Sequence, residues 1–178
     1  MMKSINSFIT EKLHINKDIK IQQHYNYHPA DKKDLKELVK QLIDERGNEV
    51  DLNDIDTSDI EDMSNLFQNS DFNGDISEWD VSKVKHMNYI FYRSYFNGDI
   101  SKWDVSNVKY MNGMFEESKF NGDISNWDVS KVENMSNMFR DSEFNKDISK
   151  WNVNNVKYMH YIFIGSPLEK NPPKWYKK

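Results

Sequence analysis

FNGDISEWDVSKVKHMNYIFYRSY, residues 72–95, runs without a gap into FNGDISKWDVSNVKYMNGMFEESK (96–119), FNGDISNWDVSKVENMSNMFRDSE (120–143) and FNKDISKWNVNNVKYMHYIFIGSP (144–167). The spacing never slips: Phe72, Phe96, Phe120, Phe144; Trp79, Trp103, Trp127, Trp151; Phe91, Phe115, Phe139, Phe163. A fixed period of 24 residues means that each unit is one structural element that buries its apolar face only by stacking on its neighbours. The register extends outward. Asp51-Leu52, Ile55-Asp56, Ile60, Met63 and Phe67 lie one period before Asp75-Ile76, Trp79-Asp80, Val84, Met87 and Phe91, and Leu168 and Trp175 lie one period after Phe144 and Trp151. The array therefore spans a degenerate coil at 48–71, four full coils at 72–167 and a truncated coil at 168–178.

Inside one unit the apolar spacing changes. Ile76, Trp79 and Val81 end in the alternation of a short strand. Val84, Met87, Ile90 and Phe91 then recur at the spacing of one helical face. Ser82 stands where a helix N-cap belongs, and Ser58 with Glu61 and Ser130 with Glu133 have the spacing of capping boxes. The Asn-Gly pairs at 73–74, 97–98 and 121–122 supply the turn into the next strand. Strands stack about 4.8 Å apart and helices about 8–10 Å, so strand and helix on opposite faces predict an arc. The expected fold is an α/β solenoid of strand–helix coils with an N-terminal helical cap.

The unit F-N-x-D-I-S-x-W-D-V-S-x-V-x-x-M-x-x-M-F resembles the BspA-type leucine-rich-repeat surface protein family, including its Mycoplasma-type repeats of unknown function. The resemblance covers about Asn48 to Trp175. It implies a right-handed leucine-rich-repeat-like stack used for protein interaction, often at cell surfaces, and no catalytic residues.

The ends differ from the array. Residues 23–47 form a capping region whose helix, over 29–46, begins at Pro29 and Asp31, shows an apolar stripe of Leu35, Leu38, Val39, Leu42 and Ile43, and stops at Gly47. An open stack needs such a cap over its first layer. At the other end Pro167, Pro172 and Pro173 remove backbone donors and blunt the edge. Residues 1–22 stand outside the register. Their Ile5, Phe8, Ile9 and Leu13 form a short amphipathic stripe that reads as a packed-back terminus or as a docking segment, and they are similar to leaders of phage-associated gut-bacterial proteins.

Composition narrows the function. Mean hydropathy is -0.88, yet aromatics make up 13% of the chain, which argues for packing over disorder. The net charge of -5 divides into +2 over residues 1–46 and -7 over the rest. An acidic body lacks the clustered Lys and Arg that phosphate backbones demand, so nucleic acid is excluded as the partner. There is no cysteine, hence no thiolate chemistry and no Cys-based zinc site. The longest apolar pair near the start, Phe8-Ile9, is followed by Glu11 and Lys12, so no signal peptide is visible, and no stretch is long and apolar enough for membrane insertion. The expectation is a cytoplasmic or virion-associated chain, extracellular only by an export route the sequence does not show.

Two acidic columns, Asp51/75/99/123/147 and Asp56/80/104/128 closed by Asn152, invite calcium. Local bonds from each carboxylate to turn N–H groups explain the repetition without an ion. No cofactor or metal is expected. A ladder of equal carboxylates has no distinguished acid–base pair, so the chain is expected not to be an enzyme. Two surfaces remain as candidates for a protein partner. The strand face offers Glu78, Asp80, Lys102, Asp104, Asn126, Asp128, Lys150 and Asn152; the helix face offers His86, Tyr89, Tyr110, Tyr158 and Tyr161. The function expected is a non-enzymatic protein-interaction module, able to form oligomers. Its alternative is a structural or assembly component of a phage particle or cell surface.

Overall fold

A computed structural model describes residues 25–177. The chain opens on residues 25–28, which lie along the first coil through a parallel bridge between Tyr27 and Ile55. Helix α1 follows at Lys32–Arg46. Asp31 caps it by accepting the N–H groups of Lys33 at 2.7 Å and Asp34 at 3.0 Å. Gly47, at φ +91°, ends it with its N–H on the Ile43 carbonyl. Leu35, Val39 and Leu42 are buried in the same core as the coils, and Lys32 reaches Asp62 of the first coil at 3.0 Å. Beyond α1 every turn of chain is a 24-residue coil stacked on the one before.

The coils are not strand–helix units. Among the described residues no strand, no sheet and no helix lies within the repeats; there are isolated parallel bridges and, at Pro167–Glu169, a single turn of 3-10 helix. The α/β solenoid is overturned by the backbone of the segment expected to be helical. Tyr89 and Arg93 both have positive φ (55° and 52°), as do their equivalents Asn65 and Asn69, Gly113 and Glu117, Asn137 and Asp141, Tyr161 and Gly165. A left-handed residue every fourth position stops a right-handed helix before one turn closes. The Ser58/Glu61 and Ser130/Glu133 capping boxes have no helix to cap, and Glu61 and Glu133 pair with Lys85 and Lys157 instead.

Two kinds of hydrogen bond replace the helix. Every second N–H closes a β-turn onto the carbonyl three residues back, as Ser94 does onto Phe91 and Met114 onto Met111. In these two turns the left-handed residue, Arg93 or Gly113, sits third, where type II geometry demands positive φ. The alternate N–H groups leave the coil altogether. Met87, Tyr89, Phe91 and Arg93 donate to the carbonyls of Tyr110, Asn112, Met114 and Glu116 in the next coil, at 2.9–3.0 Å. Coils 48–71, 96–119 and 120–143 repeat the same four bonds. Both faces of the stack thus share one backbone spacing, and the strand–helix mismatch that predicted an arc is absent.

The core fills the inside of this ladder. Phe91, Phe115 and Phe139 stack at 5.6–5.7 Å between ring centres, Phe96, Phe120 and Phe144 at 6.2–6.3 Å, and the two columns interlock at 4.3–4.5 Å. Each indole N–H donates to a carbonyl 27 residues earlier: Trp79 to Leu52, Trp103 to Ile76, Trp127 to Ile100, Trp151 to Ile124, Trp175 to Ile148.

This backbone sets the sign of a substitution. In a helix, Gly113→Ala would stabilise by about 0.8–1 kcal/mol. Gly113 has φ +61°, and a methyl there would fall 2.1 Å from the Tyr89 ring. The expected result is a loss of about 1–2 kcal/mol. Urea denaturation of the variant measures it, and a gain would restore the helix.

Candidate binding surface

Outward side chains are sorted by the coil's two corners. On the first, Asp75, Asp99, Asp123 and Asp147 each accept the N–H two residues on, from Ser77, Ser101, Ser125 and Ser149, at 2.9 Å. Asp80, Asp104, Asp128 and Asn152 do the same for Ser82, Ser106, Ser130 and Asn154. Each is an Asx turn, the local use that explains a repeated residue. Between the columns, Glu78, Lys102, Asn126 and Lys150 are all exposed. Glu78 and Lys102 pair at 3.5 Å across one coil step. The eight residues expected on one face are there together, on turns instead of strands. Among the described residues no group of three or more His, Asp or Glu could hold a metal ion.

These turns tune the carboxylates. Backbone N–H donation holds the carboxyls of Asp75, Asp99, Asp123 and Asp147 below the ordinary aspartate range. Their contribution to stability is therefore complete above the ordinary pKa of about 3.9 and is lost as pH falls through the lower folded values. Glu116 is opposite in sense: burial raises its pKa although Arg140 stands 3.4 Å away, so protonation relieves it as pH falls. Asp56, Glu61, Asp62, Glu117, Asp128 and Glu133 are lowered as well, so with ten carboxyls against one among the described residues the melting temperature should hold from neutral pH to about pH 5 and drop below about pH 4. A midpoint unchanged at pH 3 would remove the acidic columns from the stability of the fold.

The second corner carries the rings. His86, Tyr110 and Tyr158 lie on the bridge ladder that runs Asp62, His86, Tyr110, Asn134, Tyr158. His86 and Tyr110 stack at 5.0 Å. Tyr89 lies against Gly113, half-buried, and meets Tyr92 edge-on at 5.8 Å. Tyr158 and Tyr161 are exposed and make no such stack on a following coil. The five residues share a side of the column, but only Tyr158 and Tyr161 stand free of it.

Sequence reading missed the most connected group here. Arg93 grips Glu117 of the next coil through Nε at 2.7 Å and through a terminal nitrogen at 3.0 Å, and its guanidinium lies 5.0 Å over the Tyr92 ring. Tyr95 beside it is exposed. The signal was present: Arg93 and Glu117 are one period apart, hence vertical neighbours, and so are Lys83 with Asp59, Lys85 with Glu61, Lys119 with Glu143 and Lys157 with Glu133. Exposed pairs of this kind add at most about 1 kcal/mol each. Ile5, Phe8, Ile9 and Leu13 lie outside the described residues. No helix among the described residues is long and apolar enough to cross a membrane.

A family model described as Mycoplasma protein of unknown function, DUF285, matches residues 33–141 and 116–176. The match supports the Mycoplasma-type family in general. No curated protein and no solved structure matches the chain.

Proposed function

We propose, for a chain that belongs to the family described as Mycoplasma protein of unknown function, DUF285, a non-enzymatic role: it binds another protein across the side of its column. One observation supports the reading above others. The repeats keep Ile, Trp and Val at fixed inward positions, while Glu78, Lys102, Asn126 and Lys150 change from coil to coil at a single exposed position. A scaffold that holds its core constant and varies one outward column presents a patterned surface, and stacked arrays offer such surfaces to partners.

Reversing that pattern tests it. A variant with Glu78→Lys, Lys102→Glu and Lys150→Glu should melt within about 1 kcal/mol of the parent, as surface changes do, and lose the partner that the parent retains from native extract. A second variant, Tyr89→Ser with Tyr110→Ser, assigns the contact to the ring corner if only that variant loses it. Retention by both variants would end the reading. Sizing the purified chain decides against the assembly role if it runs as a monomer.

A further inference from the structure

Between the Asx turns at Asp80, Asp104 and Asp128 and the ladder of His86, Tyr110 and Asn134, two outward columns stand side by side. One reads Asp59, Lys83, Asn107, Lys131, Asn155; the other reads Glu61, Lys85, Lys109, Glu133, Lys157. A single rule governs their ion pairs. Each lysine with a carboxylate one coil behind it bonds to that carboxylate: Lys83 to Asp59 at 2.6 Å, Lys85 to Glu61 at 2.7 Å, Lys157 to Glu133 at 2.7 Å. Two lysines have no carboxylate behind them. Lys131 stands over Asn107 and bonds its amide oxygen at 2.7 Å, an acceptor that carries no charge. Lys109 stands over Lys85, and its ammonium makes no hydrogen bond or ion pair among the described residues; ahead of it, Glu133 is already taken by Lys157.

Both uncompensated ammoniums face the same space. Lys109 and Lys131 line each of two open grooves, one continuing to Lys83 and Lys85 and the other to Glu133 and Lys157. The grooves together carry five lysines against two glutamates, on a body whose net charge beyond residue 46 is -7. The strip is opposite in sign to the surface that surrounds it.

We infer that Lys109 and Lys131 anchor an acidic peptide segment, which brings a pair of carboxylates to the two ammoniums. This rests on the reading of the chain as a protein-binding module and gives the chemistry of one segment of its partner. The glutamates set the length of that segment. Glu61 and Glu133 bracket Lys85 and Lys109 in their column, three coil steps apart, which is about 14 Å at a bridge spacing of about 4.8 Å. About four residues of extended chain fit between them, with two carboxylates at alternate positions about 6.6 Å apart. A nucleic-acid backbone, charged at every nucleotide, would run on over both glutamates. A small dianion would meet only exposed ammoniums in open water, where each contact is weak. A peptide also covers the lysine stems that wall the grooves.

The probe is acetyl-Gly-Glu-Gly-Glu-Gly-amide, with acetyl-Gly-Gln-Gly-Gln-Gly-amide as its uncharged match. Each is titrated into the full chain at low salt while the lysine side-chain resonances are followed. The ε-methylene signals of Lys109 and Lys131 should shift together and saturate with the first peptide and stay in place with the second. Lys109→Gln combined with Lys131→Gln should raise the Kd about tenfold. Lys36→Gln combined with Lys40→Gln, the same loss of charge on α1, should change it about twofold at most, because salt screens charges at that distance. Absence of a saturable shift, an equal response to the uncharged peptide, or a Kd unchanged by the Lys109 and Lys131 substitutions overturns the inference. So does displacement of the peptide by an equal concentration of inorganic phosphate, which would make the strip a small-anion site, or of oligothymidylate, which would make it a nucleic-acid site. The charge-reversed variant at Glu78, Lys102 and Lys150 leaves these grooves intact, so the peptide result and the partner result succeed or fail separately.

Discussion

Replacing Trp103 or Trp127 by alanine should cost about 3–5 kcal/mol of folding stability. Both indoles are 3–4% exposed and sit in interior coils, so a cavity opened there is walled by coils that cannot collapse independently. Trp103 packs against Trp79 at 6.5 Å and Phe91 at 6.2 Å, and Trp127 packs against Phe115 at 6.3 Å. Each indole also satisfies a buried carbonyl, Ile76 for Trp103 and Ile100 for Trp127. Trp103→Phe isolates that second part. It keeps an aromatic ring but leaves the Ile76 carbonyl unpaired, at a cost of about 1–3 kcal/mol. Trp175→Ala in the begun coil should cost less than either, because Trp175 is half-exposed. Urea midpoints of the four variants make the comparison. Equal, small losses at Trp103, Trp127 and Trp175 would contradict a continuous stack.

Phe115→Ala should reach the same range, about 3–5 kcal/mol, for a different reason. Its ring is fully buried where the two Phe columns cross, with Phe120 at 4.3 Å, Phe91 at 5.6 Å and Phe139 at 5.7 Å. Removing it breaks its own column at the middle coil and takes away the interlock with Phe120. Phe163→Ala opens only the end of that column, since Phe163 meets Phe139 on one side and the Trp175 and Tyr176 rings on the other. The middle variant should therefore lose more, and its unfolding should become less cooperative as the halves uncouple. If the two variants denature alike, the rings pack in pairs and not as columns.

The core was legible in the sequence and the backbone was not. Ile76, Trp79, Val81, Val84, Met87, Ile90 and Phe91, read from period and hydropathy, are all buried. The same residues misled about conformation, because three-residue spacing is shared by a helical face and by successive β-turns. The discriminating signal lay in the polar column beside them. Asn65, Gly113 and Asn137 occupy one position of the repeat, and Asn69, Asp141 and Gly165 another. Gly, Asn and Asp are the residues that tolerate positive φ. Tyr89, Arg93, Glu117 and Tyr161 in the same columns obscured it, since inter-coil hydrogen bonds there override a local penalty of about 1–2 kcal/mol each. Exposure was easier to read: Glu78, Lys102, Asn126 and Lys150 vary, and all four face outward. The Arg93–Glu117 contact requires knowing that neighbours one period apart touch, and the inter-coil ladder requires knowing which way the turn N–H groups point.

That common direction has an electrical meaning. In the turn ribbon, the peptide unit between His86 and Met87 accepts from Met63 behind it and donates to Tyr110 ahead. The same holds for the three other units of each interior coil, while the units whose carbonyls are those of Glu61 and Ser70, and their equivalents, point the other way, so four peptide dipoles of about 3.5 D each outweigh two and a net sum is left along the stack. The positive pole lies at the 144–167 end and the negative pole at the 48–71 end, where the Lys32 ammonium sits against Asp62. This polarity belongs to the main chain and grows with every coil added. It survives any exchange of surface charge, and transient electric birefringence of a charge-neutralised variant would still register a molecule that orients along its stacking axis.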